Sequence, residues 1–337
     1  MKTPSIHSQW LLTLIGLAIG AYQFFHPVFP IAAYLTTPYR VALADNYWTL
    51  ADSIFRPQTL PWAESILMPV IAKVLGASSD LLAFQFFNVF LTICIMPVVC
   101  LMLKKQLTST KALVVGIIVF ACTFRYLRDY VLGAPDPLTM ILILLAVTAQ
   151  NKSLVLYVFL AGLSHFSLAA VAMLAWIPLS VVSSVNPKDI FRSIKLIIVG
   201  LVLSKLFLIG WNWVFDYHLF SRWDFLVDKG LAHFTQQFLD NPIQFFYTPG
   251  PLFGLTSLLA MAYMLLKRRY MVVLAYGFAL VVTYGALFIT LDGLRIFSVV
   301  IIGAYFNFAV LCLKQFFQPT RQAVELGAAC QSTATQS

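Results

Sequence analysis

Residues 133–183 read GAPDPLTMILILLAVTAQNKSLVLYVFLAGLSHFSLAAVAMLAWIPLSVVS, an apolar stretch with polar breaks near residues 150 and 165. Similar runs recur along the whole chain of 337 residues, which is 61% hydrophobic and 10% charged. Soluble domains are about 45–50% apolar and about 25% charged, so this chain must use lipid as its main solvent. The runs approach the ~20 residues of a spanning helix, and the ~10-residue alternation of a barrel strand is absent from them.

The apolar runs predict an all-α, polytopic transmembrane helical bundle of about ten (9–11) membrane segments. The predicted segments are residues 10–34, 81–103, 112–127, 137–150, 153–164, 166–183, 194–214, 249–266, 270–290 and 295–313. The fourth and fifth are too short to span alone at ~1.5 Å per residue, so we expect half-helices or re-entrant packing there. Residues 1–318 form one membrane domain, and the polar tail at 319–337 is predicted to be disordered and cytoplasmic.

Charged residues divide between the two predicted faces. With the N-terminus inside, the inside loops hold thirteen basic residues: Lys2, Lys104, Lys105, Lys111, Lys152, Lys188, Arg192, Lys195, Lys267, Arg268, Arg269, Lys314 and Arg321. Only Asp189 and Glu325 accompany them, and the other eleven of the thirteen acids face outward. Cytoplasmic loops are enriched in Lys and Arg, so both termini are predicted to be cytoplasmic.

The two long loops, residues 36–80 and 215–248, both lie on the predicted outer face, which indicates that the functional site is on this face. The net charge of +9 reflects the basic cytoplasmic loops. We expect no nucleic-acid partner, because no basic stripe with interleaved aromatic residues lies outside the apolar runs.

The first long loop carries two aspartates in the segment DNYWTLAD, residues 45–52. If this segment is helical, Asp45 and Asp52 lie on one side of the helix, two turns apart. A partly desolvated carboxylate at the membrane surface can act as a base or bind a divalent cation. The alternative, which the spacing alone favours, is a solvated helix whose acids only face water.

Two arginines end the third segment, where Arg125 and Arg128 precede Asp136 across a short Gly-Ala-Pro turn. Guanidinium groups pair their donors with phosphate oxygens, so the two arginines can clamp a phosphate near the outer membrane surface. The alternative is interfacial snorkelling of the arginines together with a local ion pair between Arg128 and Asp136.

Four other polar residues stand at breaks in the apolar pattern or inside it. His165 follows Ser164 at a break between short segments, where hydrogen-bonded packing is the commoner role of a histidine and catalysis is the alternative. Asp292 can cap the last segment, while Arg295 at the same helix N-terminus needs a partner. Lys205 lies inside the seventh segment and either faces a cavity or partner or snorkels to the interface.

Five short motifs together carry a family resemblance: DNYWTLAD, SILMPVIAKVLG, GAPDPLTMILILLAV, AGLSHFSLAAVAMLAWIPL and LDGLRIF. Over residues 10 to 315 the chain resembles bacterial polytopic membrane proteins related to the GT-C glycosyltransferases. The resemblance implies transfer of a sugar, on the extracytoplasmic face, from a polyprenyl-phosphate-linked donor to a glycan or lipid acceptor. It also implies a first-loop carboxylate that acts as base or as ligand of a divalent cation, Mg²⁺ or Mn²⁺. Asp45 matches that position best and Asp52 second, although Asn46 stands where family members often have a second acid.

These observations predict a membrane glycosyltransferase-like enzyme of cell-envelope glycan assembly in the bacterial plasma membrane. The predicted catalytic residues are Asp45 and Asp52, and the predicted substrate-binding residues are Arg125, Arg128, Asp136, His165, Asp292 and Arg295. Two alternatives remain: a transporter or flippase of a lipid-linked sugar or small metabolite, with Lys205 and His165 along its route, and a non-catalytic subunit of a polysaccharide assembly complex. Convergence of Asp45, Arg125 or Arg128, and Arg295 on one outward cavity would favour the enzyme.

Overall fold

A computed structural model of the chain describes residues 6–25, 38–57, 65–123, 134–184, 187–217, 235–236, 239–240, 251–288 and 293–317. Within these residues the protein is all-α, with eleven helices of eight or more residues and no β-strand. In chain order the helices are α1 (Ile6–Phe25), α2 (Pro38–Asp52), α3 (Leu67–Val74), α4 (Leu81–Gln106), α5 (Thr110–Thr123), α6 (Asp136–Thr148), α7 (Lys152–Ser183), α8 (Pro187–Val214), α9 (Pro251–Leu266), α10 (Tyr270–Phe288) and α11 (Gly293–Phe317).

Several of these helices have the length and composition of membrane spans. Among the described residues, five are long and apolar enough to cross a bilayer: Leu81–Gln106, Lys152–Ser183, Lys188–Val214, Tyr270–Leu287 and Ile296–Phe317. Three shorter apolar helices accompany them, at Thr110–Thr123, Asp136–Thr148 and Leu252–Leu266. The chain is therefore a multi-pass helical membrane protein, as its composition predicts.

Helix α7 reverses direction at His165. The backbone of His165 is extended, with φ −161° and ψ 93°, and divides α7 into a first arm (152–164) and a second arm (166–183). A straight helix of 32 residues would hold its ends about 48 Å apart. Yet Asn151, before the first arm, and Ser183, at the end of the second, line the same cavity of about 640 Å³. The two arms therefore form a helical hairpin with His165 at its tip, at the predicted break between the fifth and sixth segments.

Helix α1 packs tightly along α4 in the opposite direction. Gly16 faces Pro97 and Gly20 faces Ile93, and a Cβ added to Gly16 would lie 2.5 Å from the Cα of Pro97. Small residues spaced four apart let two helices approach closely in a membrane, where van der Waals packing drives their association. The first helical pair of the bundle therefore depends on the absence of side chains at these two positions.

Helix α11 lies in the middle of the bundle, with 83% of its spanning window buried. Gly303 packs against Ile143 of α6, while Lys314 and Thr148, near the C-terminal ends of the two helices, line the same cavity. Helices α6 and α11 therefore run parallel. On the far side of α11, the Phe308 ring stacks on Tyr276 of α10 with centroids 3.9 Å apart.

The basic residues predicted to lie inside gather at one end of the bundle. Eleven of the thirteen belong to the described residues, and they lie at the ends of helices or in short connections that meet at this end, which we call the basic end. The opposite end, the outer end, carries α2 and α3. This separation agrees with the predicted topology, although the side of the membrane that each end faces stays a prediction. The predicted tail, 319–337, and most of the loop 215–248 lie outside the described residues.

At the outer end, the first loop packs against the start of the second. The hydroxyl of Tyr217 donates a hydrogen bond of 2.6 Å to the carbonyl of Ile54, just beyond α2. Beside this bond, the Phe55 ring contacts Trp211 and Phe215, with ring centroids 6.0 Å and 5.7 Å away. These contacts join two regions more than 150 residues apart in sequence.

Candidate functional site

Five buried polar residues meet beneath the outer end, at the tip of the α7 hairpin. They are Asn88 of α4, Asp136 and Thr139 of α6, and Ser164 and His165 of α7. The first four are fully buried and His165 is 3% exposed. We call this group the tip cluster. Polar and ionisable groups are costly inside a membrane protein and usually mark a functional site there.

The start of α6 explains why Asp136 lies in this position. Pro135 is the N-cap residue, Asp136 is the first helical residue and Pro137 is the second. The first turn of a helix has unpaired N–H groups, so a proline costs no hydrogen bond there and a carboxylate is stabilised by the positive end of the helix dipole. The sequence Pro-Asp-Pro therefore fixes both the beginning of α6 and the buried carboxyl.

A shared carbonyl joins α6 to the hairpin tip. The Thr139 hydroxyl donates to the carbonyl of Pro135 over 3.0 Å and lies 2.8 Å from the Ser164 hydroxyl. Ser164 lies 3.4 Å from the same carbonyl, so its better hydrogen bond is the one that it donates to Thr139. Because Asp136 follows Pro135 and His165 follows Ser164, these bonds hold the carboxyl-bearing and imidazole-bearing residues in one place.

Asn88 connects two further helices, α4 and α3, to the cluster. Its Nδ2 donates to the carbonyl of Ala134 over 2.6 Å and lies 3.7 Å from the sulfur of Met68 in α3. Within the described part of the chain, no donor reaches its buried Oδ1 atom. A buried acceptor without a donor costs about 1–3 kcal/mol, so a hydroxyl of a substrate or a water molecule is a fitting partner for Oδ1.

The tip carries a second polar contact and a cation. The Nδ1 atom of His165 lies 3.5 Å from the Ser167 hydroxyl. Lys205 of α8 extends over the ring of Phe166, with Nζ 5.1 Å from the ring centroid. This cation–π contact gives Lys205 a partner at membrane depth, next to His165. The contact favours the alternative in which Lys205 has a partner.

The length of α6 places the tip cluster within the thickness of a membrane. The 13 residues of α6 cover about 20 Å, and so do the 13 residues of the first arm, against a hydrocarbon core about 30 Å thick. Helix α6 ends and the first arm begins near the basic end, so the tip cluster lies about 20 Å from that end. The half-helices predicted for the fourth and fifth segments therefore carry a recessed polar site at their outer ends.

The two predicted catalytic aspartates lie on α2, and the structure confirms that residues 45–52 are helical. Both side chains are exposed. Asp52 forms an ion pair of 2.9 Å with Lys73 of α3, and Lys73 also donates to the carbonyl of Asp52 over 2.7 Å. Asp52 therefore joins α2 to α3. An exposed pair of this kind contributes about 0–1 kcal/mol.

Four predicted binding residues have side chains outside the described residues: Arg125, Arg128, Asp292 and Arg295. The backbone of α11 nevertheless fixes the level of Arg295. Gly303 packs against Ile143; Arg295 lies eight residues before Gly303, and Asp136 lies seven before Ile143. Because α6 and α11 run parallel, the first turns of both helices lie at the same depth. Whether Asp45 converges with the arginines stays a prediction.

Whether a divalent cation binds at Asp45 stays a prediction. Among the described residues, no group of three or more His, Cys, Asp or Glu side chains comes together as metal ligands would. Asp52, the second acid of α2, is already paired with Lys73. Magnesium and manganese prefer several oxygen ligands, so we derive no step through a metal ion at this position.

The sequence analysis did not select Asn88 or Thr139. Asn88 stands alone in the apolar run FQFFNVFLTICI, and an asparagine at membrane depth is itself a signal of an inward-facing polar site. Thr139 follows Asp136 by three residues and therefore shares its helix face. Both signals are visible in the sequence, but neither names the partner residue on another helix.

The comparisons with known proteins assign no family. No protein-family model, no curated protein and no solved structure matches the chain. The resemblance to the GT-C glycosyltransferases therefore stays a prediction, and the function has to be inferred from the residues and their geometry.

Proposed function

We propose that the chain is a membrane enzyme that transfers a sugar from a polyprenyl-phosphate-linked donor, with the tip cluster as its reaction centre. The observation that supports the proposal is that a carboxyl, Asp136, and an imidazole, His165, are both buried beside the hydrogen bonds that join α6 to a break in a membrane helix. A recessed position suits a lipid-linked donor, because its polyprenyl chain lies among the helices while its phosphate stays near the head groups. The acceptor is a glycan or lipid, and the setting is the bacterial plasma membrane.

The proposed step is a displacement at the anomeric carbon. The acceptor hydroxyl gives its proton to Asp136 as its oxygen bonds to that carbon, and the bond from the carbon to the phosphate oxygen breaks. The leaving polyprenyl phosphate keeps the bonding electron pair. Asp136 suits the base because its carboxyl lies in the first turn of α6, among the buried polar residues of the tip cluster. His165 and Asn88 supply hydrogen bonds that orient the acceptor.

The leaving phosphate needs cations near the outer end. Arg295 lies at the depth of Asp136 by the register of α11, and Arg125 and Arg128 precede α6 in the sequence. Arginine binds phosphate oxygens through short, charge-assisted hydrogen bonds. We therefore assign the phosphate to these three arginines.

The family resemblance and the geometry favour different bases, and paired variants distinguish them. We expect Asp136→Asn to lower transfer at least about 100-fold, the usual effect of losing a general base, and Asp45→Asn to retain most activity. The assay measures sugar transfer by the purified protein in membranes with polyprenyl-phosphate-linked donors. The donor is first identified by mass spectrometry of the lipid-linked saccharides that accumulate when the protein is absent.

The reverse pattern, with Asp45→Asn inactive and Asp136→Asn active, would move the base to α2 and leave the tip cluster a structural role. Size-exclusion profiles of both variants control for folding. If the wild-type protein consumes no lipid-linked donor and no such saccharide accumulates in its absence, the enzyme proposal fails.

A transporter or flippase is the second candidate, and the contact of Lys205 with Phe166 beside His165 favours it. A cation held at membrane depth is typical of a substrate route. This function predicts that reconstituted protein moves a lipid-linked sugar across a vesicle membrane with its glycosidic bond intact, and that Lys205→Met abolishes the movement.

A further inference from the structure

The cavity of about 640 Å³ that Asn151 and Ser183 line lies at the basic end of the bundle. Residues of α4, α6, α7, α8 and α11 line it, together with the connection between α6 and α7. Its volume is within the range of about 300–1,000 Å³ that is usual for small-molecule sites. The length of α6 separates it from the tip cluster, so it belongs to a different site.

Cations and hydroxyl groups line this cavity. Arg192 of α8 and Lys314 of α11 contribute the positive charges, and Asp189 contributes one carboxylate. In the described part of the chain, neither cation forms an ion pair, and Lys314 donates to the Gln106 side chain over 3.3 Å. Five serine or threonine side chains also line the wall: Thr148, Ser180, Ser183, Ser184 and Ser193. Four of these hydroxyls already donate to carbonyls within α6 or near the end of α7, so the two cations are the groups that match the chemistry of a phosphate.

Trp176 supplies an independent sign of a ligand. The residue lines the cavity and is 5% exposed. Its Nε1 atom is buried, and no acceptor in the described residues reaches it. An indole N–H that is buried usually finds a partner, because leaving it unsatisfied costs about 1–3 kcal/mol. Because Nε1 is buried, an anionic oxygen in the cavity supplies the missing acceptor only if the indole ring turns toward it.

An apolar groove of about 650 Å³ adjoins the cavity, and Leu196 lines both. The groove runs between the first arm of α7 and α8, where the apolar side chains include Phe159, Leu203 and Leu206. Leu206 is 60% exposed on the outer surface of the bundle, so the groove faces the bilayer. A polar, cationic cavity that continues into a lipid-facing groove has the shape of a site for an amphipathic molecule.

We propose that the cavity binds the phosphate head group of an anionic membrane lipid, with an acyl chain in the adjoining groove. Arg192, Lys314 and the Trp176 indole hold the phosphate oxygens, and Asp189 accepts from hydroxyls of the head group. The basic end is predicted to be cytoplasmic, and basic pockets between membrane helices on that side suit anionic lipids. The proposal goes beyond sugar transfer, because it concerns the opposite end of the bundle.

The test measures lipid binding by the full-length protein, purified in detergent and depleted of lipid, using native mass spectrometry. The probes are phosphatidylglycerol, phosphatidylcholine and sn-glycerol 3-phosphate. We expect phosphatidylglycerol to bind at least about tenfold more tightly than phosphatidylcholine. Arg192→Gln and Lys314→Gln should each weaken phosphatidylglycerol about tenfold, since each removes a charged hydrogen-bond donor. Lys195→Gln removes an equal charge from α8 outside the cavity and should change nothing.

Two further variants distinguish binding of the lipid head group from binding of its acyl chain. Trp176→Phe, which removes the indole donor and keeps an aromatic ring, should weaken phosphatidylglycerol severalfold. Leu206→Ser, in the groove, should weaken phosphatidylglycerol and leave sn-glycerol 3-phosphate unaffected. If sn-glycerol 3-phosphate binds, phosphatidylglycerol does not, and Arg192→Gln abolishes the binding, the lipid proposal is overturned and the cavity is a site for a soluble phosphate ester. Equal binding of the two lipids, or equal losses in Arg192→Gln and Lys195→Gln, would overturn the site itself.

Discussion

The Thr139 and Ser164 hydroxyls connect α6 to the hairpin tip, and removing one should destabilise the protein more than removing the other. Thr139 and Ser164 are fully buried, and their hydroxyls lie 2.8 Å apart. Thr139 donates to the Pro135 carbonyl and accepts from Ser164. Ser164→Ala removes one donor and leaves the bond from Thr139 to Pro135 in place. Thr139→Val removes the donor to Pro135 and the acceptor of Ser164 together, without changing the volume of the side chain.

The magnitudes follow from the number of bonds lost. Hydrogen bonds between membrane helices contribute about 0.6 kcal/mol each and at most about 1.7 kcal/mol, so Ser164→Ala should cost about 0.6 kcal/mol. Thr139→Val should cost about 1–2 kcal/mol, because it also leaves a buried hydroxyl with only the 3.4 Å contact to Pro135. The double variant should cost about 0.6 kcal/mol less than the sum of the two, since one bond is counted in both.

The measurement is reversible unfolding of the purified protein in mixed micelles, titrated with sodium dodecyl sulfate and followed by far-UV circular dichroism. Thr13→Val in α1 is the matched control, because the Thr13 hydroxyl donates to the Gln9 carbonyl of its own helix. It should change the free energy of unfolding by less than about 0.5 kcal/mol. If Ser164→Ala costs as much as Thr139→Val or more, the assigned hydrogen-bond directions are refuted. Full additivity in the double variant would refute the bond between the two hydroxyls itself.

Two further predictions concern helix packing and the outer loops. Gly16→Ala should destabilise the protein by about 1–3 kcal/mol, because its Cβ would lie 2.5 Å from the Cα of Pro97. Gly277→Ala, with nothing within 4 Å of the new Cβ, should stabilise the protein by about 0.5–1 kcal/mol, and the same unfolding titration checks both. Tyr217→Phe should cost about 0.5–1.5 kcal/mol, because it removes the bond to the Ile54 carbonyl. Burial raises the pKa of Tyr217. The contribution of its hydroxyl to the free energy of unfolding should therefore be complete below pH ~10 and be lost as the pH rises through the raised pKa. Tyr217→Phe should abolish this pH dependence.

Part of the site was predictable because its signals are local. The Pro-Asp-Pro sequence around Asp136 indicates a helix start, and the polar break at Ser164 and His165 coincides with the reversal of α7. The spacing of Asp45 and Asp52 predicted a helix, which the structure confirms as part of α2. Each of these features depends on neighbours within a few residues along the chain.

The partners of those residues were not predictable. Asn88 meets Ala134 across 46 residues of sequence, and Asp52 pairs with Lys73 across 21. In a bundle whose helices are apolar on all sides, periodicity does not show which face meets which neighbour. The sequence interpretation therefore selected Asp136 and His165 only as binding residues and the acids of α2 as catalytic. The hydrogen bonds that join α6 to the hairpin tip through Thr139 and Ser164 appear only in the structure.

The amino-acid sequence by itself determined the all-α membrane class, the positions of the apolar segments and the uneven distribution of charge, because transfer of a segment into lipid depends on its own composition and length. The tertiary structure alone decided that α7 folds back on itself. It also decided that the tip cluster lies about 20 Å from the basic end, and that Leu196 joins a cationic cavity to an apolar groove. These features depend on side-chain contacts between helices distant in sequence, which van der Waals packing and a few buried hydrogen bonds select.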